Sequence, residues 1–266
     1  MLSKIRTLFR ASPAAPQSAV PAGERVYAVG DVHGRADLFH ALIAAVDADD
    51  AQRGTARTTI ILLGDLVDRG TDSAGVIALA REWQARRQVR IIAGNHEEMF
   101  VESFSDLEVL RHFLRHGGKE TVLSYPVDPG EYAVADYEQT QALMEAAIPR
   151  TDRDYLASFE DTIAIGDYLF VHAGIRPGVS IEEQQTKDLR WIRQIFTDCR
   201  DDHGFIVVHG HTITPEVDLQ PNRIGIDTGA YASGRLTALG LEGTSRWVIQ
   251  TNTDDGHIAV TTRSFA

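Results

Sequence analysis

The chain has 266 residues and a formal net charge of −12, with 43% hydrophobic and 24% charged residues. This composition is ordinary for a soluble globular protein, no apolar run is long enough to cross a bilayer, and the negative charge argues against a nucleic-acid partner. A phosphate-bearing substrate stays compatible, because metal ions or arginines can reverse the charge of one pocket. The lone Cys199 permits no internal disulfide, which favours a cytoplasmic location.

The first 24 residues differ from the rest of the chain. Basic residues come early, but the apolar residues are scattered and no continuous apolar core of a secretory signal follows. Residues 3–10 could form a short basic amphipathic helix, whereas the composition favours a flexible tail with an alanine/proline linker. We therefore predict a flexible tail over residues 1–24 and a single domain over residues 25–266.

From residue 25 onwards, short β-rich runs alternate with longer helical patterns. Apolar residues at three- and four-residue spacing predict helices over 36–48 and 73–86, and residues 100–160 are mainly helical in pattern. The βαβαβ opening favours a parallel sheet with helices on its faces, and the carboxyl-terminal part resembles an antiparallel meander. Strands are predicted at 25–29, 58–63, 89–93, 161–165, 168–172, 205–209, 223–227, 236–241, 246–251 and 257–262.

Five glycine-flanked polar segments each follow a predicted strand at its carboxyl end. They are VGDVHG, LLGDLVDRG, IAGNHEE, LFVHAG and VVHGHT, and they contain Asp31, His33, Asp65, Asp68, Arg69, Asn95, His96, His172, His209 and His211. Sheets of α/β proteins place their ligand sites at this end of the strands, and glycine lets the backbone turn sharply and approach a ligand. The five segments are therefore predicted to meet at one point.

These residue types predict a metal site. Carboxylates, imidazoles and one amide, without cysteine, suit divalent ions such as Mn²⁺, Fe²⁺ or Zn²⁺, and a structural zinc site would normally use cysteines. The ligands are too many for one ion, so two metals are predicted. One Gly-Asp or Gly-Asn turn alone would be a weak signal, but five such segments in this order are hard to obtain by chance. The separate histidines His40, His112 and His203 are assigned no role.

The five segments resemble, in order, the signature blocks of the phosphoprotein phosphatase family of calcineurin-like metallophosphoesterases. The resemblance runs from residue 25 to about residue 241. It is strongest to the short bacterial and phage serine/threonine protein phosphatases, because their pattern is also matched by the stretches LRWIR, HGHT and IDTGAYASGRLTAL of this chain. It implies an α/β fold, a four-layer α/β/β/α sandwich of two mixed β-sheets flanked by helices, with a helical insertion around 100–160. Residues 25–266 would then form a single metallophosphoesterase catalytic domain.

The resemblance also implies which residues bind two divalent ions, with Mn²⁺ preferred and Fe or Zn as alternatives. Asp31 and His33 would bind the first ion and Asp65 would bridge both; the second would be completed by Asn95, His172 and His211. Two divalent ions bring +4 and two carboxylates return −2, so the site keeps about +2. That charge attracts a phosphate dianion and lowers the pKa of a bridging water.

Four further residues would take part in catalysis, three on the substrate and one through a neighbouring residue. The resemblance makes His96 the general acid and Asp68 its orienting partner, while Arg69 and Arg193 clamp the phosphate. A hydroxide bridging the metals would attack phosphorus in line, without a covalent intermediate. His96 would protonate the leaving oxygen, and the two guanidinium groups match phosphoryl oxygens bidentately.

Some nearby residues match the family pattern less well. His209 lies two residues before His211 in a strand and is interpreted as a packed core histidine. Tyr231 falls near a position where relatives place an aromatic ring over the site, and His116 stands before a Gly-Gly pair where relatives commonly have asparagine. Cys199 is interpreted as a packed thiol.

The expected activity is that of a metal-dependent phosphomonoesterase, a protein-serine/threonine phosphatase acting on a phosphoprotein or phosphopeptide. The alternative is a small-molecule phosphohydrolase such as a diadenosine tetraphosphatase-like enzyme, and a third hypothesis is a non-catalytic phosphate-binding scaffold. Residues 100–160 should form the wall of the substrate groove, and their length and Gly-Gly block favour the protein phosphatase. The intact ligand set argues against a scaffold, and a cytoplasmic monomer is expected.

Overall fold

A computed structural model describes residues 17–265 of the chain. Its β-strands are β1 (Glu24–Val29), β2 (Arg57–Leu62), β3 (Val89–Ile91), β4 (Thr162–Ile165), β5 (Tyr168–Val171), β6 (Ile206–His209), β7 (Asp218–Leu219), β8 (Arg223–Gly225), β9 (Thr237–Glu242), β10 (Ser245–Asp254) and β11 (His257–Ser264). Its α-helices are α1 (Ala36–Gln52), α2 (Ser73–Arg86), α3 (Asn95–Glu102), α4 (Leu107–Phe113), α5 (Lys119–Leu123), α6 (Pro129–Val134), α7 (Tyr137–Ala147), α8 (Arg150–Ala157), α9 (Thr186–Trp191), α10 (Gln194–Thr197) and α11 (Ala230–Ser233). No helix in this range is long and apolar enough to cross a membrane.

The first sheet has six strands in the order β11-β10-β9-β1-β2-β3. β1, β2 and β3 are parallel, with Tyr27 paired with Ile60 and Ile61 with Arg90, so their carboxyl ends lie at the same end of the sheet. β9, β10 and β11 continue the sheet as antiparallel strands on the other side of β1. The predicted parallel opening and the carboxyl-terminal antiparallel meander are confirmed.

The second sheet has five strands in the order β4-β5-β6-β8-β7. β5, β6 and β8 are parallel, and β4 and β7 pair antiparallel at the two edges. The sequence did not predict β7, because two residues are too few to show the alternation of a strand. Nor did it predict the short helix α11, which follows the strand β8 within the IDTGAYASG stretch.

Alternate residues of the central strand β1 face two different cores, as the twofold period of a strand requires. Val26 packs between the two sheets, where it joins Phe170 of the second sheet. Tyr27 faces the opposite way, against α1 and α2. The outer face of the second sheet is covered by α9 and α10 through Leu189 and Phe196. The α/β class and the predicted sandwich of two mixed β-sheets flanked by helices are confirmed.

The predicted helical insertion around residues 100–160 corresponds to α3 to α8, which surround a core of their own. Phe100 of α3, Phe113 of α4 and Met144 of α7 are fully buried in this core. A π-helical turn, Leu114–Gly118, joins α4 to α5. Val67, in the loop after β2, belongs to the same core. The insertion therefore packs against a loop that carries several of the predicted site residues.

Part of the predicted amino-terminal tail packs on the second sheet. Val20 is buried in the core between the sheets, and the Ala19 N–H donates to the Asp167 carboxylate at 2.9 Å. Residues 18–23 thus differ from the expected flexible tail, because their contacts are with distant strands and leave no local pattern. Residues 1–16 of that tail lie outside the described residues, and the single domain over residues 25–266 stays a prediction.

Candidate metal centre

The carboxyl ends of five parallel strands bring the predicted metal ligands together. The loops after β1, β2, β3, β5 and β6 supply six buried side chains: Asp31, His33, Asp65, Asn95, His172 and His211. Ligand atoms of Asp65, His172 and His211 lie within 4.8 Å of one another, and so do those of His33, Asp65 and His96. Asp65 belongs to both groups and lies between them, which is where a bridging ligand would have to be.

Left-handed backbone conformations are concentrated at this site. Six non-glycine residues of the described chain have positive φ, and five of these are predicted site residues: His33, Asp65, Asp68, Arg69 and His211. Such conformations cost on the order of 1–3 kcal/mol each and persist only where surrounding contacts hold them. The His33 N–H, for example, donates to the Asp65 carbonyl at 2.8 Å. This concentration of backbone strain is typical of a functional site.

Backbone carbonyls fix the orientation of two of the histidines. His33 Nδ1 lies 2.8 Å from the Val67 carbonyl oxygen, and His172 Nδ1 lies 2.8 Å from the Leu63 carbonyl oxygen. A carbonyl only accepts, so both Nδ1 atoms carry the proton. Each Nε2 then presents a lone pair to the centre of the site. This is the arrangement by which proteins orient histidine ligands towards a metal.

Acceptor atoms face one another around Asp65. His172 Nε2 lies 3.1 Å from Asn95 Oδ1 and 3.4 Å from Asp65 Oδ1. His211 Nε2 is buried and has no hydrogen-bond partner within residues 17–265. Buried acceptors are normally paired, and with its proton on Nδ1 His172 Nε2 can only accept, as the oxygens of Asn95 and ionised Asp65 do. A cation satisfies all of them together, so the residues present fit a metal ion.

Burial keeps the imidazoles of this site neutral. It lowers the pKa of His172 to about 4, and together with the neighbouring His172 and Arg193 it lowers the pKa of His211 to about 2. Neutral imidazole is the form that binds a metal. Burial also raises the pKa of Asp31 well above its usual range, and the carboxylates of Asp227 and Asp65 raise it further. A divalent cation between these carboxylates would compensate their repulsion.

The two residues predicted to form the acid pair are in contact. His96 Nδ1 lies 2.6 Å from Asp68 Oδ2, and both side chains are buried. Burial raises the pKa of Asp68 well above its usual range and lowers that of His96 to about 4, with Asp65 opposing the latter shift. Arg69 donates to His96 Nε2 at 3.0 Å and to His33 Nε2 at 2.7 Å. A metal bound by His33 would use the same lone pair, so His33 Nε2 cannot bind a metal and accept from Arg69 at the same time.

The two arginines of the predicted phosphate clamp differ in how they meet the site. The Arg69 guanidinium lies 4.9 Å over the ring of Tyr231, and the ring centres of Tyr231 and His33 are 5.6 Å apart in an edge-to-face arrangement. Arg193 is exposed at the start of α10 and acts on the pKa of both His172 and His211. Tyr231 therefore does lie beside the site, as its position in the sequence indicated.

Sequence reasoning missed three polar residues. Glu97 accepts hydrogen bonds from the loop of Asp65, and Thr121 contacts Asp68 from α5. Asp227 follows β8 at the same end of the sheet; its Oδ1 accepts the Gly229 N–H at 2.9 Å, and its buried Oδ2 has no partner in the part of the chain described. Asp227 carried the same strand-end signal as the predicted ligands, whereas no sequence pattern marks Thr121.

Four histidines that are neither predicted ligands nor the predicted acid contact other groups. His209 is buried, contacts the Gly210 carbonyl at 3.0 Å and packs edge-on against Phe196 at 5.1 Å between ring centres. His203 also lies beside Phe196. His112 and His116 are exposed and stack on each other at 4.0 Å.

The fold and the ligand set define a metal-dependent phosphoesterase. The chain belongs to the calcineurin-like phosphoesterase family, whose sequence profile matches residues 24–239.

Relatives of known sequence carry names from several substrate classes, among them dinucleoside tetraphosphatases, an endopolyphosphatase and a protein phosphatase. A protein named bis(5'-nucleosyl)-tetraphosphatase PrpE, from Oceanobacillus iheyensis, is 25% identical over 228 residues, which are 79% of this chain and 86% of the relative. Serine/threonine-protein phosphatase 1 of Salmonella typhimurium is 34% identical over 79 residues, but these are 29% of this chain and 32% of the relative. Among solved structures, one provisionally described as a diadenosine tetraphosphatase superposes with a TM-score of 0.58 at 20% identity, covering 93% of this chain and 99% of the other.

Proposed function

We propose that this phosphoesterase hydrolyses dinucleoside polyphosphates, with diadenosine tetraphosphate as a representative substrate. A hydrolytic function rests on the buried acceptor atoms of Asp65, His172 and His211, which converge beside the cationic Arg69. The substrate class is supported by the relatives named bis(5'-nucleosyl)-tetraphosphatase, which match most of this chain and most of their own length. The protein phosphatase expected from the sequence alone becomes the second candidate.

The proposal gives each acceptor a ligand role. Asp31 and His33 would hold one divalent ion, Asp65 would contact both ions, and the second would be held by Asn95, His172 and His211. When bound, the ions supply positive charge for the phosphate and lower the pKa of a water between them. Mn²⁺ is the proposed ion, with Fe or Zn as alternatives, because the ligand set holds oxygen and imidazole nitrogen without thiolate.

His96 is the proposed general acid. Its Nδ1–H donates to Asp68 Oδ2, which fixes the ring and leaves Nε2 facing the centre of the site. Burial alone disfavours both charges, so the acid role requires an ionised Asp68 beside a protonated His96; the carboxylate would stabilise the imidazolium, whose Nε2 proton would pass to the departing oxygen. Arg69 and Arg193 would hold the phosphoryl oxygens, because guanidinium groups match them bidentately and stay charged.

The second candidate is a serine/threonine protein phosphatase built on the same residues. It is supported by the 34% identity with the Salmonella phosphatase over 79 residues, which is higher than the 25% identity of the 228-residue match to the Oceanobacillus protein. Its weakness is the short matched length, so the shared segment supports common chemistry more than a common substrate.

The test compares diadenosine tetraphosphate with a phosphoserine peptide, using one preparation of the protein loaded with Mn²⁺. We expect kcat/KM to be at least about tenfold higher for the dinucleotide, a difference of ~1.4 kcal/mol in transition-state binding. A chelator should stop turnover of both. A higher kcat/KM for the peptide would favour the second candidate, and turnover that survives the chelator would refute both.

A matched pair of variants shows whether turnover belongs to this site. Asp31→Asn removes a proposed ligand charge and should abolish hydrolysis of both substrates. Asp254→Asn makes the same chemical change at an exposed position of β10 and should leave both rates unchanged. Equal rates for the two variants would show that a contaminating enzyme or a different site is responsible.

A further inference from the structure

The helical insertion contacts the loop of the proposed acid pair through backbone as well as side chains. The Arg69 N–H donates to the Gly117 carbonyl at 3.0 Å. Gly117 has a φ of 105°, and a Cβ added there would lie 2.7 Å from Arg69 Cγ. The insertion therefore approaches the Asp68–Arg69 segment so closely that glycine is required at this contact.

Thr121 of α5 makes two hydrogen bonds with Asp68 and one with Ser73. Its Oγ1 lies 2.6 Å from Asp68 Oδ1, 2.8 Å from the Asp68 backbone nitrogen and 2.8 Å from Ser73 Oγ. The carboxylate accepts the Thr121 hydroxyl proton, so the Asp68 N–H and the Ser73 hydroxyl both donate to Thr121 Oγ1. The hydroxyl is thereby saturated, and all three side chains are buried.

This arrangement divides the two oxygens of the Asp68 carboxylate between two partners. Thr121 holds Oδ1, and Oδ2 is left to accept His96 Nδ1 at 2.6 Å. Asp68 itself has a φ of 73°, a conformation that surrounding contacts must hold in place. Thr121 supplies such contacts to both the backbone and the side chain of Asp68.

We propose that Thr121 is a positioning residue for the proposed acid His96: it fixes the Asp68 carboxylate, and Ser73 in turn orients the Thr121 hydroxyl. The inference rests on the proposed function, because it requires His96 to protonate the leaving group. Thr121 touches neither substrate nor metal in this scheme. The helical insertion would then serve the chemistry of the site in addition to forming its wall.

The test measures how strongly the rate depends on the leaving group. p-Nitrophenolate leaves without much help from an acid, whereas phenolate needs a proton. Thr121→Val keeps the shape of the side chain and removes the hydroxyl, so kcat for phenyl phosphate should fall by about tenfold or more and kcat for p-nitrophenyl phosphate by less than about threefold. Thr121→Ser restores the hydroxyl and should return both rates to within about twofold of the original protein.

Two further variants separate positioning from a general loss of packing. Thr140→Val makes the same change at a buried threonine of α7 in the same insertion, outside the described site, and should leave the ratio of the two rates unchanged. Ser73→Ala removes the donor to Thr121 together with a 3.0 Å acceptor of the Asp68 N–H, and it should shift the ratio in the same direction by a smaller factor. It also serves as the test if Thr121→Val does not fold.

Equal losses on the two phosphates in Thr121→Val, or a Thr121→Ser variant as impaired as Thr121→Val, would overturn the inference. A spectroscopic readout is independent of turnover: the His96 Nδ1–H proton resonance of the Zn²⁺-loaded protein should move upfield in Thr121→Val as its bond to Asp68 loosens. An unchanged resonance would also count against the inference. His96→Asn tests the acid role separately from the role of Thr121. Equal losses of rate on phenyl phosphate and p-nitrophenyl phosphate in this variant would refute the acid role itself.

Discussion

Glu97 Oε2 accepts the backbone N–H of Asp65 at 2.8 Å, which ties helix α3 to the loop after β2. The same carboxylate accepts the Gly94 N–H at 2.9 Å and the Leu66 N–H at 2.7 Å. Glu97 is buried, so these donors have no water to replace it. One side chain thus sets the distance between the loops that carry Asp65 and Asn95.

Glu97→Gln should weaken both the fold and the metal site. A carboxylate accepts from three N–H groups, whereas the amide turns a donor towards one of them, and a buried unpaired donor costs about 1–3 kcal/mol. We expect the free energy of unfolding to fall by that amount, and Mn²⁺ affinity to fall by about 10- to 100-fold, as for other residues that orient metal ligands. Denaturant unfolding and calorimetric titration with Mn²⁺ measure the two effects.

Glu98→Gln is the matched control for this change. Glu98 is the next residue of α3, and its half-buried carboxylate bonds Arg190 and Trp191 instead of the loop of Asp65. The Glu98→Gln variant should bind Mn²⁺ with the same affinity as the original protein. If the two variants bind the metal equally well, Glu97 does not set the geometry of the site.

The strand-end motifs predicted much of this arrangement, because a ligand site at the ends of parallel strands leaves a local signal in the chain. Asp31 and His33 could be found as a glycine-flanked pair after an apolar run, and Asp227 follows β8 in the same way. Thr121 could not be found, since its contact with Asp68 spans 53 residues and depends on how the insertion packs. The packing of Val20 was missed for the same reason.

Asp65→Asn should reduce metal binding while sparing the fold. Asparagine tolerates the left-handed backbone that Asp65 adopts at a φ of 49°, so the loop should keep its shape. Burial raises the pKa of Asp65, which means that its ionised form is unfavourable without a cation. We therefore expect the metal-free variant to be at least as stable as the original protein, with Mn²⁺ content and activity lower by about a hundredfold or more. A variant that keeps its full metal content would refute the bridging position.

Asp227→Asn tests whether the unpaired Asp227 Oδ2 contributes charge to the metal site. Its carboxylate is one of the causes, after burial, of the raised pKa of Asp31, so the charges of the two carboxylates interact. Losing one charge should weaken Mn²⁺ binding by about tenfold, or ~1.4 kcal/mol. Asp218→Asn, in the edge strand β7 where the aspartate bonds Arg223, is the control and should bind Mn²⁺ normally. Calorimetric titration that gives one affinity for all three proteins would show that Asp227 has no part in metal binding.

The folded state should lose stability as the pH falls, because it contains buried histidines. His209 shows this effect outside the set of proposed metal ligands. Burial, opposed by the Gly210 carbonyl and aided by the nearby Arg223, lowers the pKa of folded His209 to about 4. The unfolded imidazole titrates near pH 6.5, so below that pH the unfolded state binds a proton that the folded state does not. The stabilisation of the folded state is therefore complete above about pH 6.5 and is lost as the pH falls towards 4, by on the order of 3 kcal/mol.

His209→Gln removes this titrating group, so its free energy of unfolding should fall less steeply than that of the original protein between pH 6.5 and 4.5. Denaturant unfolding of both metal-free proteins at several pH values gives the difference between them at each pH, and the shared contribution of the ligand histidines cancels in it. The variant should be less stable at pH 7, since it loses packing against Phe196, and this deficit should shrink as the solution is acidified. A deficit that stays constant with pH would mean that His209 is protonated equally in the folded and unfolded chains.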